Sequence, residues 1–204
     1  MEDVNCIICG GNKFSHYLDV KCRYSSELFT LYQCSCSLIL TSPRPSQEEM
    51  SNYYHKNYSP HLNANSKEYF LSKFLKKISY SWKFKLIKKY IDIKNINLLD
   101  IGGGDGSLAI YLKNRIPRVD VYEKNKRCID FMNKNNIFAT SHFKQLKNQK
   151  YNIITLWHSL EHIHDIDNLF NHMNRVSTDN CLLIIATPNV LASEISFLTN
   201  KWIA

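Results

Sequence analysis

Leu98-Leu99-Asp100-Ile101-Gly102-Gly103-Gly104-Asp105-Gly106 decides the fold. A short apolar run ends in an acid, and the acid opens directly into a glycine-rich turn. Ser107, Leu108, Ala109, Ile110, Tyr111 and Leu112 follow with the close apolar spacing of a helix start. Strand, tight turn and helix form the context in which a glycine loop holds a small molecule. Glycine admits positive φ and lets a ligand approach where a Cβ would collide. The helix start beyond the loop favours a carboxylate or a phosphate.

Downstream the chain alternates. Val119-Asp120-Val121-Tyr122 reads as a second strand ending at Glu123, and residues 126–132 suit a helix. Residues 137–140 form a weak third strand, 151–156 a clear fourth, and 181–186 a fifth that stops before Pro188. Between the last two, residues 166–176 are helical, with Ile166, Leu169, Phe170 and Met173 on one face. Continuous apolar strands separated by helices predict an α/β, Rossmann-like, mostly parallel sheet with helices on both faces. Right-handed crossovers then line the strand C-termini along one edge, where ligands bind. Glu123, about 20 residues beyond the glycine loop, stands where an acid accepts hydrogen bonds from ribose hydroxyls. The pair predicts a nucleoside-containing cofactor.

The N-terminus carries different chemistry. Cys6-Ile7-Ile8-Cys9-Gly10-Gly11 is a knuckle in which glycine allows the turn that points both sulfurs at one metal. Cys34-Ser35-Cys36 follows roughly 25 residues later, beyond a strand-like segment at 28–32. Two pairs at this separation suit a structural, tetrahedral zinc ribbon over residues 1–45, with Cys6, Cys9, Cys34 and Cys36 as ligands. The second pair is one residue short of the usual C-x-x-C, and Cys22 and His16 are nearby substitutes; reduced free thiols in a lapsed ribbon are the alternative, and a disulfide the remaining one. Residues 46–95 read as a linker and an amphipathic helix. Ser42-Pro43-Arg44-Pro45-Ser46 breaks regular structure, residues 47–50 suit a short helix, and Tyr53, Tyr54 and Tyr58 either line a pocket or anchor the linker. Residues 69–91 predict a long helix with Phe70, Phe74, Ile78, Trp82, Leu86 and Tyr90 on its apolar stripe and most of its lysines on a solvated face.

The 204 residues allow one domain with an appendage, here a core over 96–204. With 44% hydrophobic and 22% charged residues, the composition is that of a globular protein. No apolar run approaches the roughly 20 residues of a membrane span. The start lacks a signal peptide, so a cytoplasmic location is the expectation, and clustered cysteines there read as metal ligands. A net charge of +8 is compatible with an anionic partner but also with lysines that solvate a surface.

The spacing of the loop is D-x-G-x-G-x-G, at Asp100, Gly102, Gly104 and Gly106, and not the G-x-G-x-x-G of a nicotinamide fold. Here the chain resembles the class I S-adenosylmethionine-dependent methyltransferases, whose first motif this is and whose ribose acid falls at Glu123. Tyr151-Asn152-Ile153-Ile154 is similar to that family's fourth strand, with Asn152 in place of a frequent aspartate. Leu160-Glu161-His162 and Thr187-Pro188-Asn189 resemble the signatures of one subgroup, in which a cysteine-pair zinc module precedes a P-R-P loop and a Y-Y segment. Members of that subgroup commonly modify sugars and other small metabolites. The resemblance implies S-adenosyl-L-methionine held by Asp100, Gly102, Gly103, Gly104, Gly106, Glu123 and Trp157, with His162, Glu161 and His158 as candidate bases. It also implies a core of roughly seven strands, of which this sequence supplies about five. The expectations that follow are weak or absent turnover despite cofactor binding, and a homodimer mate, a partner or the final residues covering the fifth-strand edge.

The sequence admits rival readings. His158-Ser159-Leu160-Glu161-His162 matches the H-x-x-E-H of zinc peptidases, which needs both histidines on one helix face. A non-enzymatic binding module is a second rival. An RNA methyltransferase is a third, although Leu156-Trp157-His158-Ser159 lacks the N-P-P-Y-like element of many enzymes that methylate base amino groups.

Overall fold

A computed structural model describes residues 1–22, 27–50 and 67–190, with the side chains of the long helix from Lys73 onward. Tyr53, Tyr54 and Tyr58, the Phe70 side chain and residues 191–204 lie outside the described residues. Contacts divide the chain into two units, Met1–Ser59 with Pro188–Ala204, and Pro60–Thr187.

In the first unit, β1 (Phe14–Lys21), β2 (Leu28–Cys34) and β3 (Ile39–Thr41) form an antiparallel sheet in that order. Phe14 lies opposite Cys34, and Leu31 opposite Thr41. The N-terminus closes onto this sheet's exit through a bridge between Glu2 and Arg44, reinforced by a 2.8 Å ion pair. Beyond it, Ser46 and Glu49 cap each other reciprocally, the Glu49 carboxylate accepting from Ser46 N–H at 2.9 Å.

The second unit holds β4 (Asn97–Ile101), β5 (Arg118–Tyr122), β6 (Ala139–Thr140), β7 (Tyr151–Trp157) and β8 (Ser177–Ala186). They make a five-stranded sheet in the order β6-β5-β4-β7-β8, and every pairing is parallel. Its helices are α1 (Lys67–Tyr90), α2 (Ser107–Leu112), α3 (Lys126–Lys134) and α4 (Ile166–Val176). The chain enters at the central strand, steps outward to β5 and β6, then returns to the other side at β7. That reversal opens a crevice at the carboxyl ends of β4 and β7. Neighbouring β4 residues serve opposite faces. Leu98 joins Ile87, Leu112, Val121, Met132 and Ile153 on one, while Leu99 and Ile101 join Leu156, Leu169 and Met173 on the other. Burial on both faces is why these strands are apolar throughout. The buried Asp120 is satisfied by Arg118 Nε and the Tyr151 hydroxyl, each donating at 2.7 Å.

Three sequence expectations are corrected. β6 is two residues long, because Ile137 turns back to donate its N–H to the Met132 carbonyl and is buried against α3. β8 begins at Ser177, directly after α4, and takes up a register shift opposite Tyr151 and Ile153. The orientation of α1 is the largest difference: Phe74, Ile78, Trp82 and Tyr90 are exposed, at 61%, 52%, 58% and 60%. The face turned to the core carries Tyr80, Phe84, Ile87 and Ile91 instead. Among the described residues β8 is the outermost strand, with Leu183 and Ile185 exposed. No described helix is long and apolar enough to cross a membrane.

Candidate functional site

The turn after β4 is tied to β5 by Gly102 N–H, which donates to the Tyr122 carbonyl at 2.8 Å. Gly102 has φ +74, and a Cβ there would lie 2.4 Å from Ser159 Cβ. Ser159 is buried and donates its hydroxyl to the Ile101 carbonyl at 2.8 Å, so it packs the loop from below β7. Gly103 and Gly106 also answer to packing, against Val121 and Met132. Gly104 is different: with φ +54, its Cβ direction has no atom within 4 Å. Its N–H donates to Glu123 Oε2 at 2.8 Å, and Glu123 Oε1 accepts from Lys124 N–H at 2.7 Å and Asn125 N–H at 2.9 Å. The glycine loop and the acid, chosen separately from the sequence, therefore touch beside open space. Helix α2 contributes little dipole there, being six residues long.

Asp100 is 3% exposed and accepts a 2.7 Å hydrogen bond from the Thr155 hydroxyl. Burial pushes its carboxyl up to about 6; the Thr155 hydroxyl and the Lys83 charge oppose this, and the Glu123 charge adds to it. The folded chain thus holds a proton on Asp100 at pH values where the unfolded chain, near the ordinary carboxylate value, has lost it. Stability contributed by that proton is lost as pH rises from about 4 to about 6. Asp100→Asn keeps an acceptor for Thr155 and removes the titration. The variant is expected to be more stable than the parent by up to about 3 kcal/mol above pH 7, with the difference vanishing towards pH 4. Urea unfolding followed by tryptophan fluorescence reads this; a difference that does not change with pH would refute it.

Helix α1 walls the loop on its outer side. Lys76 Nζ pairs with Asp105 at 2.9 Å, and Tyr80 packs its ring 5.9 Å from that of Tyr111. One turn on, Lys83 Nζ stands 4.5 Å over the Trp157 ring, which also meets Trp82 edge-on at 6.3 Å. Burial would raise the Asp105 carboxyl, but Lys76 and the Ser107 N–H outweigh it and hold it below its usual range. Trp157 Nε1 is buried with no hydrogen-bond partner among the described residues. Lys83, Thr155 and Ser159 were missed by sequence reasoning. The i, i+4, i+7 spacing of Lys76, Tyr80 and Lys83 was visible, but a longer aromatic stripe competed with it.

The three candidate bases follow β7. His158 has φ +53, donates its N–H to the Ala186 carbonyl at 2.9 Å, and leaves its side chain 63% exposed. Its Nδ1 lies 3.7 Å from Glu161 Oε1, so these two are brought together. Glu161 and His162 occupy a single 3-10 turn, Leu160–His162, and His162 is exposed. The H-x-x-E-H reading is thereby corrected. A chain leaving a strand through positive φ into a 3-10 turn does not present both histidines on one helix face. Among the described residues, the cysteine set is the one group of three or more ligand side chains gathered for a metal.

That set is Cys6, Cys9, Cys34 and Cys36, with all four sulfurs within 4.8 Å of one another. Cys6 and Cys36 approach to 3.4 Å and Cys9 and Cys34 to 3.5 Å, too far for S–S bonds. Against burial, the Cys9 N–H chiefly holds the Cys6 thiol down to about 6, and the Cys36 N–H lowers Cys34. The short C-x-C pair reaches the cluster without help from His16, which pairs with Asp19 at 3.2 Å, or from Cys22. A tetrahedral zinc thiolate site has sulfur–sulfur edges of about 3.8 Å, close to this arrangement.

Residues 68–204 match a family model described as a methyltransferase domain. The ribosomal RNA small subunit methyltransferase G of Malacoplasma penetrans (strain HF-2) is 48% identical over 44 residues, which are 21% of this chain and 19% of that protein. Among solved structures, residues 961–1257 of StiE O-MT align with a TM-score of 0.49 at 20% identity, covering 60% of this chain and 47% of that one. SAM-bound CalS10, an amino pentose methyltransferase from Micromonospora echinaspora involved in calicheamicin biosynthesis, also gives 0.49, at 13% identity over 63% of this chain and 59% of that one. The chain spans about a fifth of the first protein's length and roughly half of each of the other two.

Proposed function

Because the chain belongs to the methyltransferase-domain family, we propose that it binds S-adenosyl-L-methionine at the β4–β7 crevice and transfers its methyl group to a small metabolite, a sugar or glycan precursor. The observation that carries the reading is Glu123 fixed on Gly104 N–H beside open space. Glu123 has acceptor capacity left for ribose hydroxyls, and the bare Gly104 backbone admits close approach. Asp100, Gly102, Gly103, Gly106 and Trp157 complete the cradle. When bound, the cofactor supplies an electrophilic sulfonium methyl, so the protein's own part is to bind, orient and exclude water. His158, Glu161 and His162 are the groups offered for accepting a proton from the acceptor, with Glu161 able to orient His158. The subgroup signatures after β7 and β8 support the small-molecule acceptor class. In the first unit, zinc on the four cysteines is structural, because a closed four-ligand site leaves no open position.

Calorimetric titration with S-adenosylhomocysteine is expected to give a saturable isotherm at about one equivalent and to raise the melting temperature. No heat and no thermal shift would overturn the reading. Incubation with a methyl-labelled donor then separates binding from turnover, and label on nucleotide sugars separates the proposal from two others. Label on RNA would favour the second reading, which the +8 charge and the ribosomal RNA methyltransferase match support. Binding without label on any acceptor would favour a cofactor-binding protein of weak or absent turnover.

A further inference from the structure

Helix α1 carries two apolar faces. Tyr80, Phe84 and Ile87 pack against the core, whereas Phe74, Leu75, Ile78 and Trp82 are exposed. Phe74, Ile78 and Trp82 succeed each other at four-residue steps and share one face. Tyr80 and Phe84 follow Ile78 and Trp82 by two residues, roughly half a turn away. The exposed face therefore points away from the core. Lys85 and Lys89 extend it towards the end of the helix, and Lys77 and Lys88 lie along its margin, all of them exposed. Between residues 73 and 91 the sequence holds seven lysines and neither Asp nor Glu. The edge contact of Trp82 with Trp157, at 6.3 Å, holds that ring in place on the surface. A contiguous exposed apolar patch rimmed by charge marks an interaction surface.

We infer that this outer face docks on an anionic lipid bilayer, with α1 lying in the plane of the headgroups. The lysines call for a negatively charged occupant, and the side chains between them decide which. Leu75 and Ile78 offer no ring for a base to stack on, as a nucleic-acid strand requires. Protein interfaces are depleted of lysine. A second copy meeting this face about a two-fold axis would bring the lysines of both chains into one seam. A bilayer accepts every part. Phe74, Leu75 and Ile78 enter the acyl boundary, Trp82 sits at headgroup level, and the lysines extend their stems to lipid phosphates. Docking of this kind needs no membrane-spanning segment, and the inner face of the helix stays committed to the core.

The test incubates the full chain with phosphatidylcholine vesicles, with and without phosphatidylglycerol, and reads the bound fraction by co-sedimentation. Binding to the anionic vesicles is expected to weaken as salt is raised and to exceed binding to phosphatidylcholine alone by about tenfold or more. Lys85→Glu/Lys89→Glu should lose roughly 25-fold or more in partition, about fivefold for each lysine. Phe74→Ser/Ile78→Ser should lose about tenfold or more. Both variants should melt as the parent does, because the altered side chains are exposed. In the unaltered chain, vesicles should also protect Lys85 and Lys89 from amine acetylation and leave Lys147, exposed in the loop before β7, reactive. That measurement decides the matter even where a variant fails to fold. Absence of binding to anionic vesicles, equal binding to both vesicle types, or unchanged partition of the folded variants would overturn the inference. Self-association or binding of single-stranded RNA that these variants abolish, with vesicle binding absent, would overturn it in favour of a second copy or of nucleic acid.

Discussion

Glu123→Ala is expected to abolish measurable binding of S-adenosylhomocysteine while the second unit stays folded. The carboxylate accepts the N–H groups of Gly104, Lys124 and Asn125, so it fixes the loop, and in the proposed reading it also holds the ribose. Charge-assisted hydrogen bonds contribute about 1.5–3 kcal/mol each. Losing the one its remaining lone pair accepts from a ribose hydroxyl, together with the bond that fixes Gly104, weakens binding by roughly a hundred- to ten-thousandfold. The fold is spared because Glu123 stands outside both buried clusters and the N–H groups it leaves belong to partly exposed loop backbone. Glu123→Gln keeps one acceptor and should fall between the two. Calorimetry paired with thermal melts reads both quantities. Binding by Glu123→Ala within a few-fold of the parent would remove this residue from the site.

The second large effect concerns the first unit. Protein purified under reducing conditions is expected to carry about one equivalent of zinc by elemental analysis, and the Cys6→Ser/Cys9→Ser double variant none. Structural zinc contributes on the order of 10–16 kcal/mol in small domains, more than a three-stranded sheet of this size supplies by burial. Limited proteolysis should therefore cut the variant within residues 1–45 and leave the second unit whole. A metal-free parent that resists protease as well as the zinc-loaded protein would refute the prediction.

Much of the core was legible because its strands obey one simple constraint. Leu98 and Leu99, or Ile153 and Ile154, point to opposite faces, and both faces are covered, so the strands stand out as unbroken apolar runs. The Glu123–Gly104 contact was legible for a different reason: the parallel pairing of β4 and β5 brings the two strand ends level. What escaped was the rotation of α1. Apolar periodicity assumes that a helix packs by its greasiest stripe, and Phe74, Ile78 and Trp82 drew the prediction. The surface this helix covers is in part a polar loop, so Lys76, Tyr80 and Lys83 lie towards it, and among its described side chains Ile87 alone is fully buried. Likewise, the brevity of β6 reflects Ile137 being captured by α3, a tertiary event that no local pattern encodes.

The placement of β4 at the middle of the sheet also sets a timetable for synthesis. A chain made from its N-terminus has the backbone contacts of the glycine loop, Gly102 to Tyr122 and Gly104 to Glu123, as soon as β5 docks. Thr155, the partner of Asp100, and Ser159, which braces Gly102, arrive only with β7. The loop is therefore shaped early and its buried acid is satisfied late, so a half-made chain already possesses the cradle but not the setting that tunes its charge.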